Sequence, residues 1–461
     1  MRTFLVCFFL CFLGKFPLNA QLNYYTFGDP HLANQASENL PSLLGDHTKT
    51  GEFYPVTLYT GFTNNFIRAS DLSAFSAQTE ISREDMDAYL GKLKPVNQFW
   101  AGYNAPLFQF FFNVPKKRKP FISFGFGAGH RTDFNFDVNR EFLELLIRGN
   151  KNMAGQTVPL APQLNLLSYN QLFLTASTVF RIIPWKNAQV VTIKPAVRVR
   201  YLSGLACVRM PSPTLNMYTD PEGRYLDFDT DLRINMSSIA DTPTLNDFAS
   251  QGEFNLNSPG KGWGFDLGAG ITVLRNLQLH AALNDLGGIT FNRNVINYSK
   301  QGTVRYDGVD LDKLNSGSDS LLNFTKLEEI IQPEKTYESF RSPLGARLIL
   351  SGMYGLQARK RRRIPYFVHN LSFTYVQGLR DYLNTTTKPI AHAAYTYSFK
   401  NILNLGTGVT LGGISGFMAG AHLSLKANWF KLGIASNNLL PLISTRAGRG
   451  TDLHAFLGFS F

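Results

Sequence analysis

At 461 residues, with 45 Lys and Arg against 33 Asp and Glu, the chain is long enough for two or three soluble domains and carries a net charge of +12. Its aromatic content of 13%, its 39 glycines and its mean hydropathy of −0.10 argue against a helical membrane protein, which needs uncharged apolar runs of about 18 residues or more. A membrane β-barrel, apolar outside and polar inside, gives such a middling average. The one long apolar stretch after the N-terminus, residues 401–425, is broken by glycines at 406, 408, 412, 413, 416 and 420 and suits a hairpin better than a helix.

Residues 1–20 read as a secretory signal peptide. Arg2 supplies the positive start, residues 4–13 form an apolar core too short to cross a bilayer, and Leu18-Asn19-Ala20 offers a cleavage site before Gln21. Leu10 is not the small residue a lipoprotein signal needs before Cys11. Removal of the signal leaves Cys207 alone, which excludes a disulfide framework and a cysteine metal site within one mature chain. Residues 21–50 show no strand pattern and are assigned to a periplasmic or plug segment, with the barrel over 51–461.

From there strand-type alternation recurs to the end. Spanning strands are expected at residues 54–64, 98–112, 121–130, 165–180, 189–201, 263–273, 277–285, 344–356, 367–376, 389–399, 405–411, 417–425, 430–437 and 453–461, about fourteen in all. The cleanest is 263–273, where Trp263, Phe265, Leu267, Ala269, Ile271 and Val273 oppose Gly264, Asp266, Gly268, Gly270 and Thr272. Its length suits a tilted bilayer crossing. An even count puts both termini on one side, the periplasmic one. Short turns then fall on that side and long connections outside.

The positive excess collects in two of the short turns, at Lys116, Lys117, Arg118 and Lys119 and at Arg359, Lys360, Arg361, Arg362 and Arg363. Neither run interleaves aromatics at a stacking spacing, so nucleic acid is excluded as a partner. Two loops carry helix signals, residues 81–93 and a run from Asp137 to Arg148. Residues 214–234 read as a polar hairpin turning at Asp220-Pro221-Glu222-Gly223. It is placed outside the membrane; counting it as spanning gives sixteen strands. Trp100, Trp185, Trp263 and Trp429 all fall at strand ends or turns and are assigned to the aromatic girdle at the membrane interfaces. On the last strand Leu453, Ala455, Leu457, Phe459 and Phe461 share one face. An amphipathic strand ending in phenylalanine resembles the terminal strand by which bacterial outer-membrane barrels are recognised, and Phe459 and Phe461 are its assembly signal.

No catalytic, metal or cofactor constellation is found. The histidines are isolated, and Asp227, Asp229 and Asp231 lack the glycine and terminal glutamate of a calcium loop. Gly406-Thr407-Gly408 lacks the helix and downstream acid of a dinucleotide site. A charged side chain facing lipid near the midplane costs about 2–4 kcal/mol. Lys194, Arg198 and Arg200, which alternate with Val197, Val199 and Tyr201, are therefore expected in the lumen, together with Asp266 and Arg347. Pairing of the strands at 189–201 and 263–273 brings Asp266 to Arg198 or Arg200. A charged interior leaves two alternatives, a polar conduit or a salt-bridged plug.

Five runs, taken in order, carry a resemblance. They are Ile122-Ser123-Phe124-Gly125-Phe126, Leu146-Ile147-Arg148-Gly149-Asn150, residues 197–206, Gly262-Trp263-Gly264-Phe265-Asp266-Leu267-Gly268-Ala269, and residues 277–287 with Asn284-Asp285-Leu286-Gly287. Over roughly residues 30–461 the chain resembles a Bacteroidota family of outer-membrane barrels classed only as a domain of unknown function. That family is similar to the PorP/SprF barrels of type IX secretion and gliding, and more remotely to FadL-type fatty acid transporters. Where such proteins often show Asn-Pro-Ala, this chain has Asn39-Leu40-Pro41-Ser42. The resemblance implies an outer-membrane location in a Gram-negative bacterium, with outer-membrane lipid and the barrel-assembly machinery as partners. It brings no catalytic residue with it. Transport of a small or hydrophobic ligand is the expected function, and an accessory barrel anchoring a secretion, gliding or surface-adhesion complex is the alternative. A surface enzyme is the third and least supported reading.

Overall fold

The computed structural model describes residues 29, 38–44, 51–68, 70–71, 83–116, 119–160, 162–182, 191–211, 213–239, 256–274, 276–306, 332–361, 364–444, 446 and 448–461. The signal peptide, most of residues 21–50, Trp185 and part of each basic turn lie outside them. Fourteen strands form the wall. They are β1 (Gly51–Asn64), β2 (Val96–Lys116), β3 (Lys119–Asn139), β4 (Gln163–Thr178), β5 (Val191–Arg209), β6 (Gly260–Val273) and β7 (Leu277–Phe291), then β8 (Arg347–Arg361), β9 (Ile364–Gly378), β10 (Ile390–Phe399), β11 (Leu403–Gly412), β12 (Gly416–Ala427), β13 (Phe430–Ser436) and β14 (Gly450–Ser460). Each pairs antiparallel with the next, and β14 returns to β1 from Glu52↔Ser460 to Thr63↔Gly450. Lipid offers no partner to an open edge, so a sheet that crosses it must close.

The chain is thus a closed, fourteen-stranded antiparallel β-barrel. Gly51 and Phe461 exchange backbone hydrogen bonds of 3.0 Å, which sets both ends of the wall at the same rim. The turns after β2, β4, β6, β8, β10 and β12 lie at this rim and the long connections at the other. Period two holds through most of the wall. On β6, Trp263, Phe265, Leu267 and Ile271 are exposed outward, while Gly264, Asp266 and Gly270 are buried. On β14, Leu453 and Phe461 are exposed, and His454, Phe456 and Ser460 are buried. Outward aromatics stack across strands at Phe53–Phe110 (4.3 Å), Phe110–Phe126 (5.2 Å) and Trp429–Phe459 (5.4 Å). Each such pair contributes about 0.5–1.5 kcal/mol beyond its burial.

At 21 residues each, β2 and β3 exceed the length needed to cross a bilayer, and their far ends join a layer beyond the barrel. There the short strands Thr157–Pro159, Thr214–Thr219, Leu226–Ser237, Val295–Tyr306 and Glu334–Thr336 pair in that order. Helices α1 (Arg83–Lys92) and α2 (Arg140–Arg148) cover them. Tyr89 and Leu90 of α1 join Phe99, Phe134, Val208 and Ile234 in one core; Phe142 and Leu145 of α2 pack on Leu215 and Met217 in another. The hairpin at Asp220–Gly223 belongs to this layer and joins the ladder of the wall at Cys207–Arg209, so the ring holds fourteen strands and not sixteen.

Three sequence expectations are revised. The helix begins at Arg140 rather than at Asp137, because Asp137 stays in the ladder opposite Gln98 and Gln163 and accepts a hydrogen bond from Gln98 Nε2 (3.4 Å). Residues 287–343 are not all loop: Val295–Tyr306 is a strand. Its polar sequence gives little strand signal, and the ladder along Leu226–Ser237 holds it. Trp100 is not part of an outward girdle. It is buried and stands opposite Asn135 on the inward side, because a bulge between Pro106 and Phe108 inverts the alternation above it. Trp263 and Trp429 are 54% and 61% exposed, facing outward.

Candidate functional site

The lumen holds two features, an ion-pair cluster and a short piece of the N-terminal segment. Lys194, Arg198, Arg200, Asp266 and Arg347 are all buried on inward faces. The β5–β6 register sets Arg198 opposite Asp266, but the ion pair forms one step along: Arg200 Nη2 lies 2.8 Å from Asp266 Oδ1. The centre of the cluster is Asp285. Its carboxylate meets Arg200 at 2.7 Å, Arg347 at 2.7 Å and Arg131 at 3.2 Å. Arg131 also pairs with Asp133 at 2.9 Å, and Asn384, from the long connection after β9, donates to Asp133 at 2.6 Å. Arg198 lies 3.9 Å above the Phe173 ring and donates to the Glu38 carbonyl at 3.1 Å.

Asp285, Arg131 and Asp133 were not singled out from the sequence. Strict alternation along β7 gives Asp285 the phase of the outward Leu279. A bulge between Phe265 and Leu267 inserts one residue, Asp285 takes φ 58°, and two consecutive side chains, Asn284 and Asp285, turn inward. Arg131 and Asp133 lie on the same face as Ser123 and the glycines of β3, but beyond the expected end of that strand at residue 130. The signal for Asp285 was the run Asn284-Asp285-Leu286-Gly287. Its glycine, two residues after Asp285, adopts φ 124°, a conformation that favours glycine and accompanies the bulge.

Below this cluster, residues 38–44 run inside the barrel against β4, β5, β6 and β7, with one helical turn at Pro41–Leu43. The small face of β6 makes the room: a Cβ at Gly268 would stand 3.2 Å from Pro41 Cδ and Ser42 N. The wall holds the segment by its backbone. Asn284 Nδ2 donates to the Asn39 carbonyl (2.5 Å), Ser177 Oγ to the Leu44 carbonyl (3.2 Å), and Ser42 Oγ bonds His280 Nδ1 (2.8 Å). Leu40 and Leu43 cover an inward apolar patch of Ala282, Ile349, Val376 and Ile390, and Leu44 meets Tyr54, Phe111 and Phe456. Nearer the terminal rim, Asp29 accepts hydrogen bonds from Asn404 and Ser424, with His422 at 3.6 Å. No group of three or more metal-ligating side chains occurs among the described residues.

The model of the Family of unknown function (DUF5723) matches residues 54–437. No curated protein matches the chain. Similar solved structures include the toluene transporter TodX of Pseudomonas putida, with 10% identity, 92% of each chain covered and a TM-score of 0.38. A FadL homologue of Pseudomonas aeruginosa has 10% identity, with 96% of this chain and 99% of that one covered and a TM-score of 0.36. The translocator domain of the autotransporter NalP of Neisseria meningitidis has 7% identity, covers 95% and 100%, and gives 0.33. The architecture rests on the closed ring of strand pairings described above.

Proposed function

We propose a function for a chain that belongs to this family of unknown function: it is a non-enzymatic outer-membrane transport barrel for a small hydrophobic ligand, with both termini periplasmic. The observation that carries this reading is the apolar patch inside the lumen. Barrel interiors are ordinarily polar, yet Ala282, Ile349, Val376 and Ile390 present aliphatic surface inward, covered by Leu40 and Leu43. A hydrophobic ligand competes for that surface by displacing a short segment, and the residues 21–50 that contain it act as the plug. The ion-pair cluster above keeps the lumen closed to polar solutes.

The test is saturable binding of a fluorescent hydrophobic probe to the purified barrel. We expect Ile349→Asp to weaken it by about tenfold or more, the loss of roughly one buried aliphatic side chain. Absence of saturable binding to the unaltered protein would overturn the reading. The layer of strands and helices beyond the barrel favours a second reading, the accessory barrel of a secretion or surface-adhesion complex of the PorP/SprF kind.

Membrane insertion is assigned to the terminal strand. Phe459 stacks on Trp429 and Phe461 is 63% exposed on the outward face. Deletion of Phe461 is expected to lower the heat-modifiable barrel in outer-membrane fractions several-fold while export across the inner membrane continues. Unchanged levels would show that the signal lies elsewhere.

A further inference from the structure

We propose that the outward face of β7, β8 and β9 binds one anionic phospholipid of the leaflet on the terminal side, tail in a groove over Gly352 and headgroup on Arg359 and Lys360. This rests on the barrel lying in a membrane and not on what crosses it. Gly352 has the outward phase of Leu350 and Tyr354, and its register partners are Leu279 and Phe373. Those neighbours are exposed and apolar, and the missing side chain leaves a groove of about 650 Å³ between them. An unfilled hollow in a lipid-facing wall takes the one flexible apolar object at hand, an acyl chain.

The strand then leads to charge. His369 and Tyr395 mark where the wall turns polar: His369 Nδ1 bonds Tyr395 Oη at 2.7 Å and its Nε2 meets Gln357 Oε1 at 3.2 Å, on the exposed side. Such amphipathic aromatics belong at headgroup level. Beyond them Arg359 and Lys360 are exposed, and among the described residues neither pairs with a carboxylate. From Leu344 to Asn437 the only acid is Asp381, which lies at the opposite rim. The terminal rim of this half of the barrel is therefore cationic, complementary to a phosphate.

The spacing fits one leaflet. Gly352 to Arg359 is seven residues, about 23 Å at the rise of a strand. Tilted by about 40°, that is about 18 Å of depth, half of an apolar band of about 25 Å plus the headgroup layer.

The experiment is native mass spectrometry of the full-length purified protein titrated with phosphatidylglycerol or with phosphatidylcholine of the same chains. A gel-mobility check for the folded barrel accompanies every variant. The first lipid is expected to bind about tenfold more tightly, given two basic residues at the surface. Arg359→Gln with Lys360→Gln should abolish that preference. Gly352→Leu should weaken both lipids by about tenfold. A Cβ there meets only Leu279 Cδ2, at 3.3 Å, and Gln278 O, at 3.9 Å, so the barrel should tolerate it. If Gly352→Leu does not fold, Leu371→Phe narrows the groove from its other wall. Equal binding of the two lipids by the unaltered protein would overturn the proposal. So would a preference that survives the paired substitution, or binding that no filling of the groove alters. The readout does not depend on any transported ligand, so its failure leaves the transport reading standing.

Discussion

Asp285→Asn is expected to cost about 3–5 kcal/mol of barrel stability, the range for breaking a buried pair by removing one partner. Three guanidinium groups lose their shared carboxylate at once. Arg131 keeps Asp133 and Arg200 keeps Asp266, but Asp285 is the only carboxylate that Arg347 reaches among the described residues. The double variant Asp285→Asn with Arg347→Met should recover part of the loss, because the charge left bare is then removed. Urea titration followed by gel mobility of the folded barrel measures both. A loss below about 1 kcal/mol for the single variant, or no recovery in the double, would mean that water reaches the cluster and screens it.

Replacing Leu40 and Leu43 by alanine is expected to release the N-terminal segment and turn a closed barrel into a conducting one. Truncation of a buried leucine costs about 2–5 kcal/mol. What remains to hold residues 38–44 is Leu44 against Tyr54, Phe111 and Phe456, the contacts of Glu38 with Arg198 and Asn104, and the hydrogen bonds at Asn39, Ser42 and Leu44, less than the two lost leucines supplied. In planar bilayers the unaltered protein should stay closed, and the double variant should show long-lived openings without losing its heat-modifiable fold. If both conduct alike, the segment does not close the lumen. If neither conducts, the ion-pair cluster alone seals it, and Arg347→Ala in the same background is the next variant.

What was legible in the sequence was whatever obeys period two. All fourteen wall strands, the short and long connections, the apolar outside of β6 and β14 and the inward set of Arg198, Arg200, Asp266 and Arg347 follow from alternation alone. What was not legible sits at two bulges. One extra residue inverts every face beyond it, and the local marks, a proline at 106 and a glycine at 287, allow a bulge without fixing where the extra residue goes. Alternation therefore places Trp100 in the interface girdle, where the structure turns it inward, and gives Asp285, the hub of the cluster, the outward phase. The docking of residues 38–44 was out of reach for a different reason. Leu40 and Leu43 form no periodic pattern, and the apolar patch that they cover comes from residues more than 200 positions away.

The seam between β1 and β14 has a kinetic meaning. Glu52 and Ser460 are ladder partners, so the register that finishes the wall joins residues about as far apart as the chain permits. Tyr54 wedges against Phe456 there, and Lys431 of β13 reaches Glu52, locking that corner only after the last hairpin has arrived. Contacts of such sequence separation form late and slowly. Until then the growing sheet carries two raw edges, one at each end, and either can be captured by a foreign strand. The time spent in that half-finished state, rather than the strength of the completed wall, should set how much of this protein reaches its membrane and how strongly it depends on helpers that shield an edge.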